Sequence, residues 1–410
     1  MSYLKESHEV LMDIVANEAY INIAMQKIND GIDRALVTKI VYGTIEHYFE
    51  CEYILHQLIQ NMPRPAIKVV MLQATYALLH LNVPQYAIVN ESVSLVEELG
   101  KKQQKGFVNA ILKKICRKEF TMPKKGEPRY LEVKYNLPQW LINEVRRVYP
   151  AQYDKILSAE PRIEEHIRLS SKMDSEKFLK LSPDAEETLT GYFTRNIESV
   201  KNLYERGMLT YQSLTSTFAI KAMGDVLGKS MLDVCSAPGG KAVYAAELGA
   251  SVVACDVHPH RVELIKGYAK RMDTFVNAVV KDGTAYKKEW AEKFDVVLID
   301  APCSGLGVLT KRRDIALKRS LGDISSLVGI QKRLLSVASK YVKKGGILIY
   351  STCTILPQEN KNVVSEFLAS SEIAFQLDTI PLPYDNSGEI QFLPNNEGLD
   401  GFYIARLKRI

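Results

Sequence analysis

The sequence predicts a multidomain chain. An all-α helical bundle comes first, a small α+β connector follows, and an α/β domain on a mainly parallel sheet comes last. Three observations carry this reading. At 410 residues the chain exceeds a comfortable single domain. Up to about residue 120, apolar side chains recur at three- and four-residue spacing, which is the helical period. From residue 231, short β-branched runs alternate with helical stretches, the mark of βαβ units.

The periodicity predicts helices near 4–28, 33–60, 66–81, 86–99 and 104–118. In the third, Val69, Leu72, Tyr76 and Leu79 would line one face. Pro63, Pro65 and Pro84 suit helix starts and the loops between, because proline lacks an N–H and fixes φ. The stretch TMPKKGEPRY (121–130) has no periodicity and reads as a linker, so the helical domain is placed at 1–125. Residues 131–150 look helical again (Leu137, Trp140, Leu141, Val145, Val148), and short mixed patterns follow. Residues 126–209 are therefore assigned to linker and connector, and 210–410 to the α/β domain.

Within that last domain the candidate strands are Met231–Cys235, Ser251–Asp256, Ala278–Lys281, Phe294–Asp300 and Gly346–Ser351. Phe375–Thr379, Glu389–Leu393 and Phe402–Leu407 would close the sheet as a hairpin and edge strand.

Composition narrows the class. Apolar residues at 46% and charged residues at 25% are those of an ordinary globular protein. No apolar run reaches membrane-spanning length, and the opening residues lack a basic region followed by an apolar one, so a cytoplasmic protein with no membrane partner is expected. Six cysteines (51, 116, 235, 255, 303, 353) contain no C-x-x-C pair, which argues against both a disulfide framework and a zinc site; no metal is expected. The net charge of +5 is mild, but its distribution is uneven. Residues 1–100 hold 6 Lys/Arg against 12 Asp/Glu, and residues 101–150 hold 13 against 4. Lys311, Arg312, Arg313, Lys318 and Arg319 form a second basic cluster. Such clusters can neutralise phosphates or can simply be solvated faces.

Four segments carry chemistry. The first is Leu232-Asp233-Val234-Cys235-Ser236-Ala237-Pro238-Gly239-Gly240-Lys241, a strand entering a small-residue turn and then a helix. Gly239 and Gly240 permit close backbone approach to a ligand, and open α/β sheets bind cofactors beyond their strand ends. The pattern is neither G-x-G-x-x-G nor a P-loop, which disfavours a nicotinamide-dependent dehydrogenase. The second is Asp256, 23 residues beyond Asp233, near the offset at which a carboxylate meets a ribose hydroxyl; Asp282 ends the following strand and could accept from an adenine amine. The third is Asp300-Ala301-Pro302-Cys303-Ser304-Gly305 and the fourth is Ser351-Thr352-Cys353-Thr354. Each follows an apolar strand, so two strands of one sheet would deliver a cysteine to the same edge.

These segments resemble a known family. DVCSAPGGK, DAPCSGLGVL and YSTCTILPQEN look like motifs I, IV and VI of the RNA 5-methylcytosine methyltransferases. DRALVTKIVYGTIEH (33–47), PQYAIVNESVSLVE (84–97) and KGFVNAILKKI (105–115) resemble the helical RNA-binding domain of the NusB antitermination type. A NusB-like domain fused ahead of the methyltransferase is the arrangement of bacterial 16S rRNA cytosine-5 methyltransferases. The resemblance implies a Rossmann-like class I methyltransferase domain with a mainly parallel seven-stranded sheet, S-adenosylmethionine as cofactor, 16S rRNA as partner, and a monomer.

The chemistry of such a family needs three groups. Cytosine C5 is a poor nucleophile until a thiolate adds at C6, an acid serves N3, and a base later removes the C5 proton. Asp300, Cys303 and Cys353 supply that inventory. Carried over by motif, the turn Cys235, Ser236, Ala237, Pro238, Gly239, Gly240 and Lys241 would hold the cofactor's methionine part. Asp256 would lie on its ribose and Asp282 near its adenine, Arg261 and Gly283 would join the cofactor-binding set, and Asp300 would lie at the junction of cofactor and base. Lys241 joins Asp300, Cys303 and Cys353 in the catalytic set. Spacing alone does not rank the two cysteines; the resemblance makes Cys353 the nucleophile and Cys303 the residue that assists release. The pattern departs at Thr310, where the family shows an arginine, and at Ser213, where it shows an acidic residue. A tRNA or another rRNA as target, and a non-catalytic RNA-binding protein, are the competing readings.

Overall fold

The computed structural model describes residues 3–28, 33–395 and 397–410. The chain forms two compact units, Met1–Ser158 with Lys311–Arg319, and Ala159–Thr310 with Ser320–Ile410. No helix among the described residues is long and apolar enough to cross a membrane.

The first unit is helical: α1 (Tyr3–Val15), α2 (Ile21–Ala24), α3 (Arg34–Glu46), α4 (Tyr48–Leu58), α5 (Pro65–His80), α6 (Gln85–Glu98), α7 (Lys105–Cys116), α8 (Tyr130–Tyr135), α9 (Gln139–Val148) and α10 (Tyr153–Leu157). Both long predicted helices are interrupted. The first breaks near Glu18, which takes a φ of 55°, and the second at His47. The Asp33 side chain accepts the Leu36 N–H and starts α3, and Pro65 opens α5 where its missing N–H costs nothing. The single apolar face expected for that third helix is too narrow. Residues 69–78 of α5 are buried on every side, because α1, α3, α4, α6 and α7 all pack around it. Burying side chains such as Ile67, Met71 and Leu72 contributes roughly 1.5–3 kcal/mol each.

The compact helical unit runs on to Ser158, past the residues 1–125 expected for the first domain, so residues 126–209 are shared between the two units. The reason is local. Helix α8 packs on α4, and the Asn136 side-chain carbonyl accepts the Phe49 N–H (2.7 Å) and the Glu50 N–H (3.3 Å), capping α4. The stretch 121–130 is thus a loop within the helical unit.

The basic cluster at 311–319 also differs from a uniformly solvated face. Its Asp314 is fully buried and accepts the Ile21 N–H at 3.1 Å. Arg312 Nε lies 3.2 Å and Lys318 Nζ 3.7 Å from the same carboxyl group, and Lys318 donates to the Ala19 carbonyl. Burial lowers the Lys318 pKa, with Asp314 opposing it.

The second unit opens with a small antiparallel sheet of β1 (Glu165–Leu169), β2 (Glu186–Glu187), β3 (Tyr192–Thr194) and β4 (Leu209–Tyr211), in the order β2-β3-β1-β4. Helices α11 (Ser175–Leu181) and α12 (Ile197–Glu205) accompany it, and α13 (Leu214–Lys221) leads into the main sheet. That sheet contains β5 (Ser230–Asp233), β6 (Ser251–Asp256), β7 (Asn277–Val280), β8 (Phe294–Asp300), β9 (Val342–Thr352), β10 (Phe375–Leu377), β11 (Glu389–Phe392) and β12 (Phe402–Arg409). Between them run α14 (Gly240–Glu247), α15 (Pro259–Arg271), α16 (Leu321–Ala338) and α17 (Lys361–Ser370).

Strands β7, β6, β5, β8 and β9 pair in parallel, and β12 runs antiparallel beside β9. The sheet holds eight strands where seven were expected, yet it is seven positions wide. The eight-residue β12 pairs along one edge with both β10 (at 407–409) and β11 (at 402–405), so two short strands share one column. Parallel crossovers cover both faces with helices, and two apolar layers result, one around Ala254, Leu298 and Ile349, the other around Val297, Leu348 and Tyr350. The order reverses between β5 and β8, a topological switch point that opens a crevice beyond the strand ends.

Candidate active site

A cavity of roughly 580 Å³ occupies that crevice. Every parallel strand contributes the residues that follow it: Val234, Cys235 and Ala237 after β5; Asp256, His258 and Arg261 from β6 onward; Asp282, Gly283 and Thr284 after β7; Asp300, Pro302 and Cys303 from β8; and Cys353 after β9. Ile330, Arg333 and Leu334 of α16 close one side.

The turn after β5 is shaped by backbone demands. Gly239 has a φ of +106°, and a Cβ there would stand 3.1 Å from the Ile265 Cα, so only glycine fits comfortably. The Gly239 N–H donates to the Ser236 carbonyl, and the Ser236 N–H donates to the Cys255 carbonyl, tying the turn to β6. At the end of β6 the buried Asp256 accepts the His258 N–H at 3.0 Å and pairs with Arg261 at 3.3 Å. Arg261 also donates to the Ala237 carbonyl, bridging β6 to the turn. Asp282 accepts both the hydroxyl and the N–H of Thr284, which hold its pKa below the usual value.

The candidate reactive groups lie where β8 and β9 end side by side. Cys303 Sγ and Cys353 Sγ are 3.3 Å apart. Asp300 receives the Lys241 ammonium at 2.7 Å on one oxygen and the Ser351 hydroxyl at 2.8 Å on the other. Burial works against the Lys241 charge, but Asp300 outweighs it and the net pKa is raised. The Cys303 thiol is pushed well above its ordinary value, first by the hydrogen bond with Cys353 and then by burial. Burial likewise raises Cys235, and takes Cys255 up to about 12, so neither is disposed to ionise. Asp233, buried at the end of β5, is pushed up to about 7 by burial and then by the charge of Asp300. The arrangement offers two sulfurs and a carboxyl group on the cavity lining, with an ammonium bonded to that carboxyl group, enough for nucleophilic attack coupled to proton transfer.

Of the residues singled out from sequence, Cys235, Ala237, Asp256, Arg261, Asp282, Gly283, Asp300, Cys303 and Cys353 line the cavity. Ser236, Pro238, Gly239, Gly240 and Lys241 are not among its lining residues, and Lys241 meets the lining through its bond to Asp300. Sequence reasoning missed Ile330 and Leu334, whose only signal is an apolar helix face, Arg333 between them, and the Ser351 bond to Asp300. Ser213, at the second departure from the family pattern, donates to the buried Asp400 at 2.7 Å. Among the described residues, the one cluster of metal-ligand type is His47, Glu50 and His80, in the helical unit. There both imidazoles bond to one Glu50 oxygen, at 2.6 and 2.9 Å, and the two rings lie 3.9 Å apart.

Residues 224–408 match the family described as 16S rRNA methyltransferase RsmB/F, and residues 5–117 match the NusB family. The ribosomal RNA small subunit methyltransferase B of Photorhabdus laumondii is 28% identical over 410 residues, covering 94% of this chain and 92% of its own. Among solved structures, PH0851 superposes with a TM-score of 0.84 at 22% identity, covering 98% of both chains. NSun6 from Pyrococcus horikoshii, solved with SFG, superposes with a TM-score of 0.57 at 19% identity, covering 66% of this chain and 98% of its own. The sequence motifs, the switch-point cavity and these matches converge on an S-adenosylmethionine-dependent RNA methyltransferase whose residues 224–408 match the RsmB/F family and whose residues 5–117 match the NusB family.

Proposed function

We propose that the protein methylates C5 of a cytosine in 16S rRNA through a transient bond between Cys353 and C6 of the base. The observation that carries this is the pair of sulfurs 3.3 Å apart on the cavity lining, which also includes Asp300, the partner of Lys241. Methylation at oxygen or an exocyclic nitrogen needs no such pair. The rRNA target rests on relatives named for the small-subunit RNA, and the basic stretch 101–150 is suited to phosphate contacts.

The lining suits S-adenosylmethionine. Asp256 and Asp282 offer carboxyl acceptors for a ribose diol and an adenine amine, and the volume matches a ligand of that size. Bound there, the cofactor supplies an electrophilic methyl group. The protein's own groups do the rest. Cys353, as thiolate, adds to C6, and the displaced electron pair makes C5 nucleophilic while N3 takes a proton from Lys241 through Asp300. C5 takes up the methyl group. The Cys353–C6 bond consumes the sulfur that most strongly held the Cys303 proton in place, so Cys303 can then lose that proton to solvent. As thiolate, Cys303 removes the C5 proton, the C6–S bond breaks, Cys353 leaves as thiolate, and N3 returns its proton along the same path. One proton is released overall.

The test is transcribed 16S rRNA incubated with purified protein and isotopically labelled methyl donor, followed by bisulfite mapping. One protected cytosine at near-stoichiometric yield is expected. Label on another atom, or in tRNA but not 16S rRNA, would overturn the reading.

A further inference from the structure

Two neighbouring residues outside the reacting set bracket the two sulfurs. Glu359 and Asn360 follow β9 in the segment that links it to α17, and both are buried. Glu359 reaches toward Cys303. Its carboxyl group accepts the Ser304 N–H at 2.8 Å and the Ser304 hydroxyl. It also accepts the Gln331 side-chain amide at 3.1 Å, and that same amide donates to the Pro302 carbonyl at 3.0 Å. Both chain neighbours of Cys303 are thereby fixed through one carboxyl group. Asn360 reaches toward Cys353. Its side-chain oxygen accepts the Thr352 hydroxyl, and its amide donates to the Thr354 carbonyl at 3.0 Å. Both chain neighbours of Cys353 are fixed as well.

We propose that Glu359 and Asn360 are positioning residues with separate charges: Glu359 sets the place of Cys303 and Asn360 sets the place of Cys353. The inference rests on the roles given above to the two cysteines. Loops after strands are the least constrained part of a sheet, and a 1 Å misplacement of a reacting group can cost about 100-fold in rate. Each loop here is pinned on both sides of its cysteine by one buried polar side chain, and Asn360 also donates to the Gln391 side chain at 2.7 Å. The groups facing Cys303 are Cys353, Glu359 and the Gly305 N–H, and Tyr350 lies close enough to feel its charge. The Glu359 charge also disfavours ionisation of Cys303, after the Cys353 hydrogen bond and burial.

The separation of roles gives a readout that general destabilisation does not. In Glu359→Gln the adduct with RNA should still form, because Cys353 is untouched, but it should persist about 10-fold longer or more, and kcat should fall with little change in KM. In Asn360→Ala adduct formation should slow by about 10- to 100-fold, with no accumulation. Cofactor affinity, by titration, should stay within about twofold in both, which also reports folding. Should Glu359→Gln prove poorly folded, Gln331→Ala loosens only the Cys303 side and should lengthen the adduct's life in the same direction. Equal slowing of both steps in both variants, or a wild-type adduct lifetime in Glu359→Gln, would overturn the proposal. Failure of the underlying reading shows separately, in proteins intact at 359 and 360, as absence of any adduct in Cys303→Ala.

Discussion

Cys303 Sγ and Cys353 Sγ stand 3.3 Å apart although their positions are 50 residues apart in the chain. Parallel pairing of β8 with β9, in the register Asp300 to Ser351, brings them together. One sulfur holds a proton tightly because the other is there. Removing either should therefore have opposite effects on the covalent intermediate. Cys353→Ala is expected to abolish methylation, with cofactor affinity within about twofold of wild type. Cys303→Ala is expected to trap an RNA–protein adduct visible as a band shift on a denaturing gel. The reverse pattern would exchange the two roles.

Lys241 is expected to act through Asp300, since the ammonium lies 2.7 Å from that carboxyl group and Asp300, unlike Lys241, lines the cavity. Its stem lies beside Phe402, with Nζ 5.6 Å from the ring centroid. Lys241→Met keeps the stem and removes the proton source, so kcat should fall by about 100-fold or more while cofactor binding changes little. Lys241→Arg should not restore the rate, because guanidinium does not give up a proton at these pH values. Rapid-quench single turnovers would separate this loss from slow product release.

Asp233 predicts a specific pH dependence of stability. Its folded pKa of about 7 exceeds the unfolded value of roughly 4. The folded state therefore holds an extra proton between those values. The stabilisation is complete below pH of about 4, is lost progressively as pH rises, and is gone above about 7. Asp233→Asn keeps the shape without the ionisation. Its melting temperature relative to wild type should rise from about pH 4 to about pH 7 and level off beyond. The full difference is on the order of a few kcal/mol, because each tenfold change in proton affinity is worth about 1.4 kcal/mol. A difference constant with pH would show that Asp233 is not the titrating group.

Much of the catalytic domain was legible in the sequence, for physical reasons. Ser251–Asp256 and Phe294–Asp300 were read with their observed bounds, because buried parallel strands are short apolar runs that end at a polar turn. The position of Cys303 and Cys353 on one edge followed from that alone. What depends on distant partners was not legible. The shared column of β10 and β11 is set by pairing with β12, which local pattern does not encode. Helix α5 shows a face by period and hides that its neighbours surround it. Ile330 and Leu334 look like any core-facing stripe until the cavity they border is seen. Lys318 reads as a surface cation until Asp314 and Ala19 are brought to it.

That last misreading yields a further expectation. Asp314 is the buried acceptor for the Ile21 N–H and faces Arg312 and Lys318. A buried pair need not add net stability, but removing one partner leaves charge and donors without compensation. Asp314→Ala should therefore destabilise the helical unit by about 3–5 kcal/mol. Hydrogen exchange gives a local reading: the Ile21 amide, which loses its acceptor, should exchange far faster, while amides of the central α5 change less. Lys318, only 7% exposed and already bonded to Ala19, has little reach to a phosphate. Lys318→Met should consequently leave the salt dependence of RNA binding unchanged, whereas replacing a cation that neutralises a phosphate would lower that slope by about one. A Lys318→Met protein with a reduced slope would return the 311–319 segment to the RNA-binding face.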